Sequence, residues 1–91
     1  MNREYVKEII LRLLKDLEPD MYQLYVEEYE MDKCLYNISL AEDLGLNVLD
    51  VVDLGIDINK IFNIKVGDEI TKCETIGELI SCVLMKLEKT R

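Results

Sequence analysis

At 91 residues the chain has room for one domain with a small core, burying roughly 60–65% of the surface its unfolded form exposes. A hydrophobic fraction of 49% beside 33% charged residues reads as a globular, helical chain, not a disordered one. The net charge of −8, from 19 acidic against 11 basic residues with no basic stripe, argues against nucleic-acid binding and suits either solubility alone or a basic protein partner.

In chain order, the first helix is marked by Val6, Ile9, Ile10, Leu13, Leu14 and Leu17, an apolar stripe at helical steps with charged residues opposite. Pro19 ends it at about Leu17 or Glu18. Pro19 also suits the first turn of a new helix. Tyr22, Tyr25, Val26 and Tyr29 follow at i, i+3, i+4 and i+7, which predicts an extra helix over about residues 20–30. That face is read as core packing with surface hydroxyls, or as an added binding surface.

The middle helix is predicted to start after Asn47, a good N-cap, with Asp50 facing the positive end of the helix dipole. It runs to about Phe62, although Gly55 inside it costs about 1 kcal/mol relative to Ala. A short further helix is expected at Asp68–Lys72. The last helix carries the stripe Ile76, Leu79, Ile80, Val83, Leu84 and Leu87, with Thr75 and Glu78 in capping-box spacing and Lys86 and Lys89 near its end.

The middle helix has two apolar faces. Val51, Leu54, Ile58, Ile61 and Phe62 make the expected core face. Leu49, Val52 and Ile56 make a second stripe, and Asp50, Asp53 and Asp57 form an acidic line beside it. A helix on a bundle needs one apolar face, so the second stripe is either covered by the inserted segment near Tyr22–Tyr29 or left for a partner. A basic-surfaced protein with an apolar groove would fit it.

The run LAEDLGLNVLDVVDLGIDINKIF at residues 40–62 resembles the recognition-helix region of acyl carrier proteins, where E-D-L-G-x-D-S-L-D leads into a helix ending in Phe. Glu42, Asp43, Leu44, Gly45, Leu49, Asp50 and Phe62 fall in register. Lys72-Cys73-Glu74-Thr75-Ile76 is similar to the family's K-I-T-T-V entry into its last helix, with Cys73 in place of a buried Ile; Gly67 stands where the family often has Pro. The resemblance covers about residues 38–87 and implies an all-α, acyl-carrier-like four-helix bundle over a single domain, residues 1–91, with the extra helix inserted after the first. It implies that Leu49, Asp50, Val52, Asp53, Ile56 and Asp57 are the partner-binding positions. It also places the family's phosphopantetheine-bearing serine at Val48, which has no hydroxyl, so no phosphopantetheine is expected there. Ser39 precedes the acidic turn and Ser81 lies on the last helix, and neither is a convincing substitute.

No catalytic residue or metal site is expected. The chain has no His, no Trp, no phosphate-binding Gly loop and no CxxC pair. Cys34, Cys73 and Cys82 read as reduced, buried thiols. Glu27/Glu28 and Asp68/Glu69 read as solvated faces rather than cation sites. Charges interrupt every apolar run of residues 1–17, so neither a signal peptide nor a membrane span is expected, and the protein reads as a cytoplasmic monomer. The leading expectation is a non-catalytic, carrier-like interaction module linked to fatty-acid or polyketide-type metabolism. The alternatives are a true carrier modified at an unusual serine, with Ser39 the candidate, and an unrelated small helical regulatory or structural protein.

Overall fold

The computed structural model describes residues 2–89. Among them are four α-helices, α1 (Arg3–Leu17), α2 (Pro19–Tyr25), α3 (Val48–Phe62) and α4 (Ile76–Lys89). Three 3-10 helices lie at Glu27–Tyr29, Lys33–Asn37 and Asp68–Lys72, and the only pairing of strand type among the described residues is an isolated Ser39–Thr75 bridge. The architecture is an all-α bundle of α1, α3 and α4 closed by the 3-10 helix at 68–72, with α2 and two 3-10 turns inserted after α1.

The caps follow from the residues at the helix ends. Asn2 accepts from the Tyr5 amide at 2.8 Å and opens α1. Asn47 and Asp50 form a reciprocal capping box on α3: Asp50 N donates to Asn47 Oδ1 at 2.9 Å, and Asn47 N donates to Asp50 Oδ2 at 3.0 Å. Two amides that the helix itself leaves unsatisfied are thereby bonded. Asn63 closes α3 in the left-handed region at φ 55°. Gly45, at φ 71°, turns the chain before α3, a conformation that a side chain would strain. Glu78 N donates to Thr75 Oγ1 at 3.2 Å, and the Glu78 carboxylate reaches back to the Glu74 amide at 3.3 Å.

Val6, Ile10 and Leu14 from α1, Leu54 and Ile58 from α3, and Ile76, Leu79, Ile80 and Val83 from α4 form the core, with Leu35, Leu40 and Leu44 from the connections. The 3-10 helix at 68–72 packs closely on α3 at Gly55, where a Cβ would stand 3.3 Å from the side-chain tip Ile70 Cδ1. The backbone ties Leu40 N to Glu74 O at 2.9 Å and Ile76 N to Ile38 O at 3.0 Å, which pins the pre-α3 connection to the start of α4.

Three local expectations are corrected. The extra helix is shorter than 20–30: α2 stops at Tyr25, and a 3-10 turn follows after Val26. Tyr22 and Val26 are buried but Tyr25 and Tyr29 are exposed: Tyr25, the last residue of α2, lies on its edge away from Val26, and Tyr29 follows the change of helix type. The buried face of α1 is rotated towards Lys7 and Leu11, while Ile9, Leu13 and Leu17 are only half-buried. The cause is the insertion, since α2 folds back and packs on α1. Cys34 is exposed rather than buried, lying on a surface turn where its amide donates to Asp32 Oδ1, while the short helix expected at Asp68–Lys72 forms there as a 3-10 helix.

Candidate functional site

α3 presents its buried face through Val51, Leu54, Gly55, Ile58 and Phe62. At 100° per residue, Leu49, Val52 and Ile56 fall on the far side of the helix from these. They are exposed, Leu49 at 74% and Ile56 at 48%. The inserted segment does not cover them, since α2 and its 3-10 turn pack on α1 and on the 33–37 turn. Asp53 and Asp57 are exposed on the flank of the stripe. Asp50 is half-buried, and one of its carboxylate oxygens is engaged in the α3 cap. The six candidate residues therefore share one helix surface, with Asp50 the least free of them.

Two apolar side chains join this surface that the helical pattern did not assign to it. Val48, the first residue of α3, is largely exposed directly after the Asn47 cap. Ile61 was expected in the core but is 48% exposed. It lies roughly 70° from the centre of the buried face, on the Asp53–Asp57 side, and no element covers that edge. The signal was available as an angle, but a hydrophobic residue beside Phe62 and one turn from Ile58 reads as core by type. The acidic line is thus bordered by aliphatic side chains on both flanks.

Beside the start of α3 is a cleft of about 370 Å³ lined by Ser39, Leu40, Glu42, Leu46, Val48 and Val51, among others. Ser39 is committed to the turn there: its hydroxyl accepts from the Glu42 amide at 3.0 Å, and its own amide donates to Asp43 Oδ2 at 2.8 Å. Ser81 is exposed on α4.

The thiols carry no activated character. Burial pushes the Cys73 thiol up to about 12, reinforced by Cys82, Glu78 and Glu69. Burial also raises Cys82, and the Asp32 carboxylate raises Cys34. Glu69 is held below the usual carboxylate value chiefly by its hydrogen bond to Lys86, at 2.7 Å. Among the described residues, no group of three or more His, Cys, Asp or Glu is placed to hold a metal ion. No helix there is long and apolar enough to cross a membrane.

Comparison with known proteins agrees with a carrier-like bundle over part of the chain. Over 49 residues, 53% of this chain, it is 41% identical to the acyl carrier protein of Thermotoga maritima. The matched stretch spans 60% of that curated relative, less than two thirds of its length. No family model and no solved structure matches the chain.

Proposed function

We propose that this chain is an acyl-carrier-like interaction module that uses the exposed face of α3 to dock a basic-surfaced protein and carries no phosphopantetheine at Val48. The observation behind this reading is the uncovered aliphatic stripe Leu49, Val52 and Ile56 beside Asp53 and Asp57 on one helix. The carboxylates steer the encounter with Lys or Arg on the partner, and the aliphatic side chains supply burial. Each side chain fully covered is worth about 1.5–3 kcal/mol before the cost of association. The partner belongs to the enzymes that read carrier proteins, in fatty-acid or polyketide-type metabolism of the cytoplasm. The similarity to an acyl carrier protein over 49 residues supports that class of partner.

The resemblance places the family's modified serine at Val48, an exposed residue at the first position of α3. Valine has no hydroxyl to take a phosphodiester. The partner would therefore read the helix surface itself and not a loaded arm.

The test uses a broad-specificity phosphopantetheinyl transferase with coenzyme A as a reader of carrier surfaces, followed by intact mass. The wild-type chain is expected to keep its mass, and Val48→Ser to gain one arm. Val48→Ser combined with Ile56→Asp should lose most of that loading while keeping its helical circular dichroism. Modification of the wild type would overturn the reading and point to a true carrier loaded elsewhere. Equal loading of the double variant would remove α3 as the docking face, and loss of its helicity would place Ile56 in the core.

A further inference from the structure

A second site lies away from α3. A cavity of about 690 Å³ opens between the N-terminus of α1, the Tyr36–Asn37 turn, the 3-10 helix at 68–72 and α4, and no residue of α3 lines it. Its volume falls within the roughly 300–1,000 Å³ of small-molecule sites.

Its charge is anomalous for this protein. The chain carries −8 overall, yet Arg3, Lys72, Lys86 and Lys89 all line this one cavity, against Glu69 and Glu78. Both carboxylates are already engaged. Glu69 pairs with Lys86 at 2.7 Å, and Glu78 is turned back onto the α4 cap through the Glu74 amide. Neither Arg3 nor Lys72 has a carboxylate in ion-pair contact among the described residues. The cavity is thus a cationic spot on an acidic molecule, and such a spot concentrates anions.

The lining is also apolar in part. Tyr36, Cys73, Cys82 and Met85 contribute a ring, two uncharged thiols and a thioether. Met85 is 57% exposed and is the one large hydrophobic residue of α4 left in solvent. The Arg3 guanidinium sits 5.2 Å from the centre of the Tyr36 ring, so cation and aromatic surface adjoin. Gly77 shapes the wall: a Cβ there would stand 2.8 Å from the Tyr36 carbonyl oxygen, so only a bare backbone lets the Tyr36 turn close against α4.

We propose that this cavity binds a small amphiphilic anion, with an aryl body against Tyr36 and the sulfur-bearing side chains and a carboxylate or phosphate-ester head among Arg3, Lys72 and Lys89. Sulfur atoms and ring edges favour aromatic neighbours, which selects the aryl body. Lys72 and Lys89 act as point charges for the head, Lys86 being held by Glu69, and Arg3 offers a planar fork to two of its oxygens.

The probes are 2-naphthyl phosphate, 2-naphthoate, neutral 2-naphthol and inorganic phosphate, each titrated into the ¹⁵N-labelled full chain and followed by amide shifts. Either naphthyl anion should shift Tyr36, Gly77, Ser81 and Cys82 saturably, and the tighter of the two identifies the head group. 2-Naphthol and inorganic phosphate should each bind at least tenfold more weakly. Raising salt from about 50 to about 300 mM should weaken the anions several-fold. Lys72→Ala with Lys89→Ala, both at exposed sites, should cost about tenfold in affinity, as expected for two lost charges near the head. Ser81→Trp, filling the cavity from an exposed position of α4, should abolish binding with the circular dichroism unchanged. No saturable shift up to about 5 mM, the weak limit of specific binding, would overturn the proposal. So would shifts centred on α3, neutral 2-naphthol binding as tightly as the anions, or parental affinity in both the double variant and Ser81→Trp.

Discussion

Gly77→Ala should destabilise the protein even though it exchanges the poorer helix former for the best one. In a helix interior that exchange gains about 1 kcal/mol. Gly77 is the second residue of α4, in the first turn, where the gain is smaller. Against it stands the new Cβ, 2.8 Å from the Tyr36 carbonyl oxygen and 2.9 Å from Tyr36 Cβ. The oxygen belongs to main chain that has little room to retreat: Ile38 just after it bonds the Ile76 amide at 3.0 Å, and Ser39 bridges Thr75. Overpacking of this kind costs about 1–3 kcal/mol, so the net loss is about 1–2 kcal/mol. For a domain of this length each kcal/mol lowers Tm by roughly 4–8 °C. Urea unfolding at constant m reads the change directly. Gly55→Ala is the control: there the Cβ meets side-chain atoms and no backbone, the nearest being the tip of Ile70 at 3.3 Å, within a helix interior. It should leave stability unchanged or raise it by up to about 1 kcal/mol. Gly77→Ala matching the wild type, or both variants moving together, would refute the argument that backbone contact, not helix propensity, dictates glycine at 77.

Two further outcomes follow from ionisable groups. Tyr22 is buried and donates its hydroxyl to Glu30, and burial followed by that carboxylate raises its pKa above the ordinary 10.0. A group with a raised folded-state value contributes its full stability below the unfolded value and loses it as pH rises through the folded one, so the wild type should weaken progressively above pH 10. Urea unfolding of Tyr22→Phe should show a shallower alkaline decline, and parallel declines would remove Tyr22 as the cause. Iodoacetamide at neutral pH should label exposed Cys34 well before half-buried Cys73, whose thiol burial holds at about 12; equal labelling rates by peptide mass would contradict that burial.

The helices and their caps were legible because they are local. The stripes of α1 and α4, the Asn47 cap and the Thr75–Glu78 pairing depend on residues within one or two turns of each other. The errors lie where a distant segment decides. Leu11 and Lys7 lie on the side of α1 that adjoins Tyr22, Glu30 and Met31 of the insertion, and the spacing within α1 contains no record of that. Cys34 reads as a buried residue by type, but the 3-10 turn that carries it faces solvent. Ile61 fails for the converse reason: its neighbours on α3 are core residues, yet nothing packs on its edge of the helix.

The candidate docking face turns on the same point. Two apolar stripes on α3 leave two outcomes open, a covered surface or a free one, and no periodicity within residues 48–62 distinguishes them. The route of the insertion decides. Pro19 supplies a first-turn residue with no amide to satisfy, and Glu18, at φ −137° and ψ 73°, bends the chain sharply between α1 and α2. α2 is thereby directed onto the helix it has just left. Tyr22 seats on α1 with the Lys15 ammonium 6.0 Å from its ring centre, and its hydroxyl is tied to Glu30. The insertion's buried residues, Tyr22 and Val26, are spent on α1 and the adjoining turns. Leu49, Val52 and Ile56 remain in solvent for that reason, and the exposure of this stripe on α3 follows from a bend thirty residues earlier in the chain.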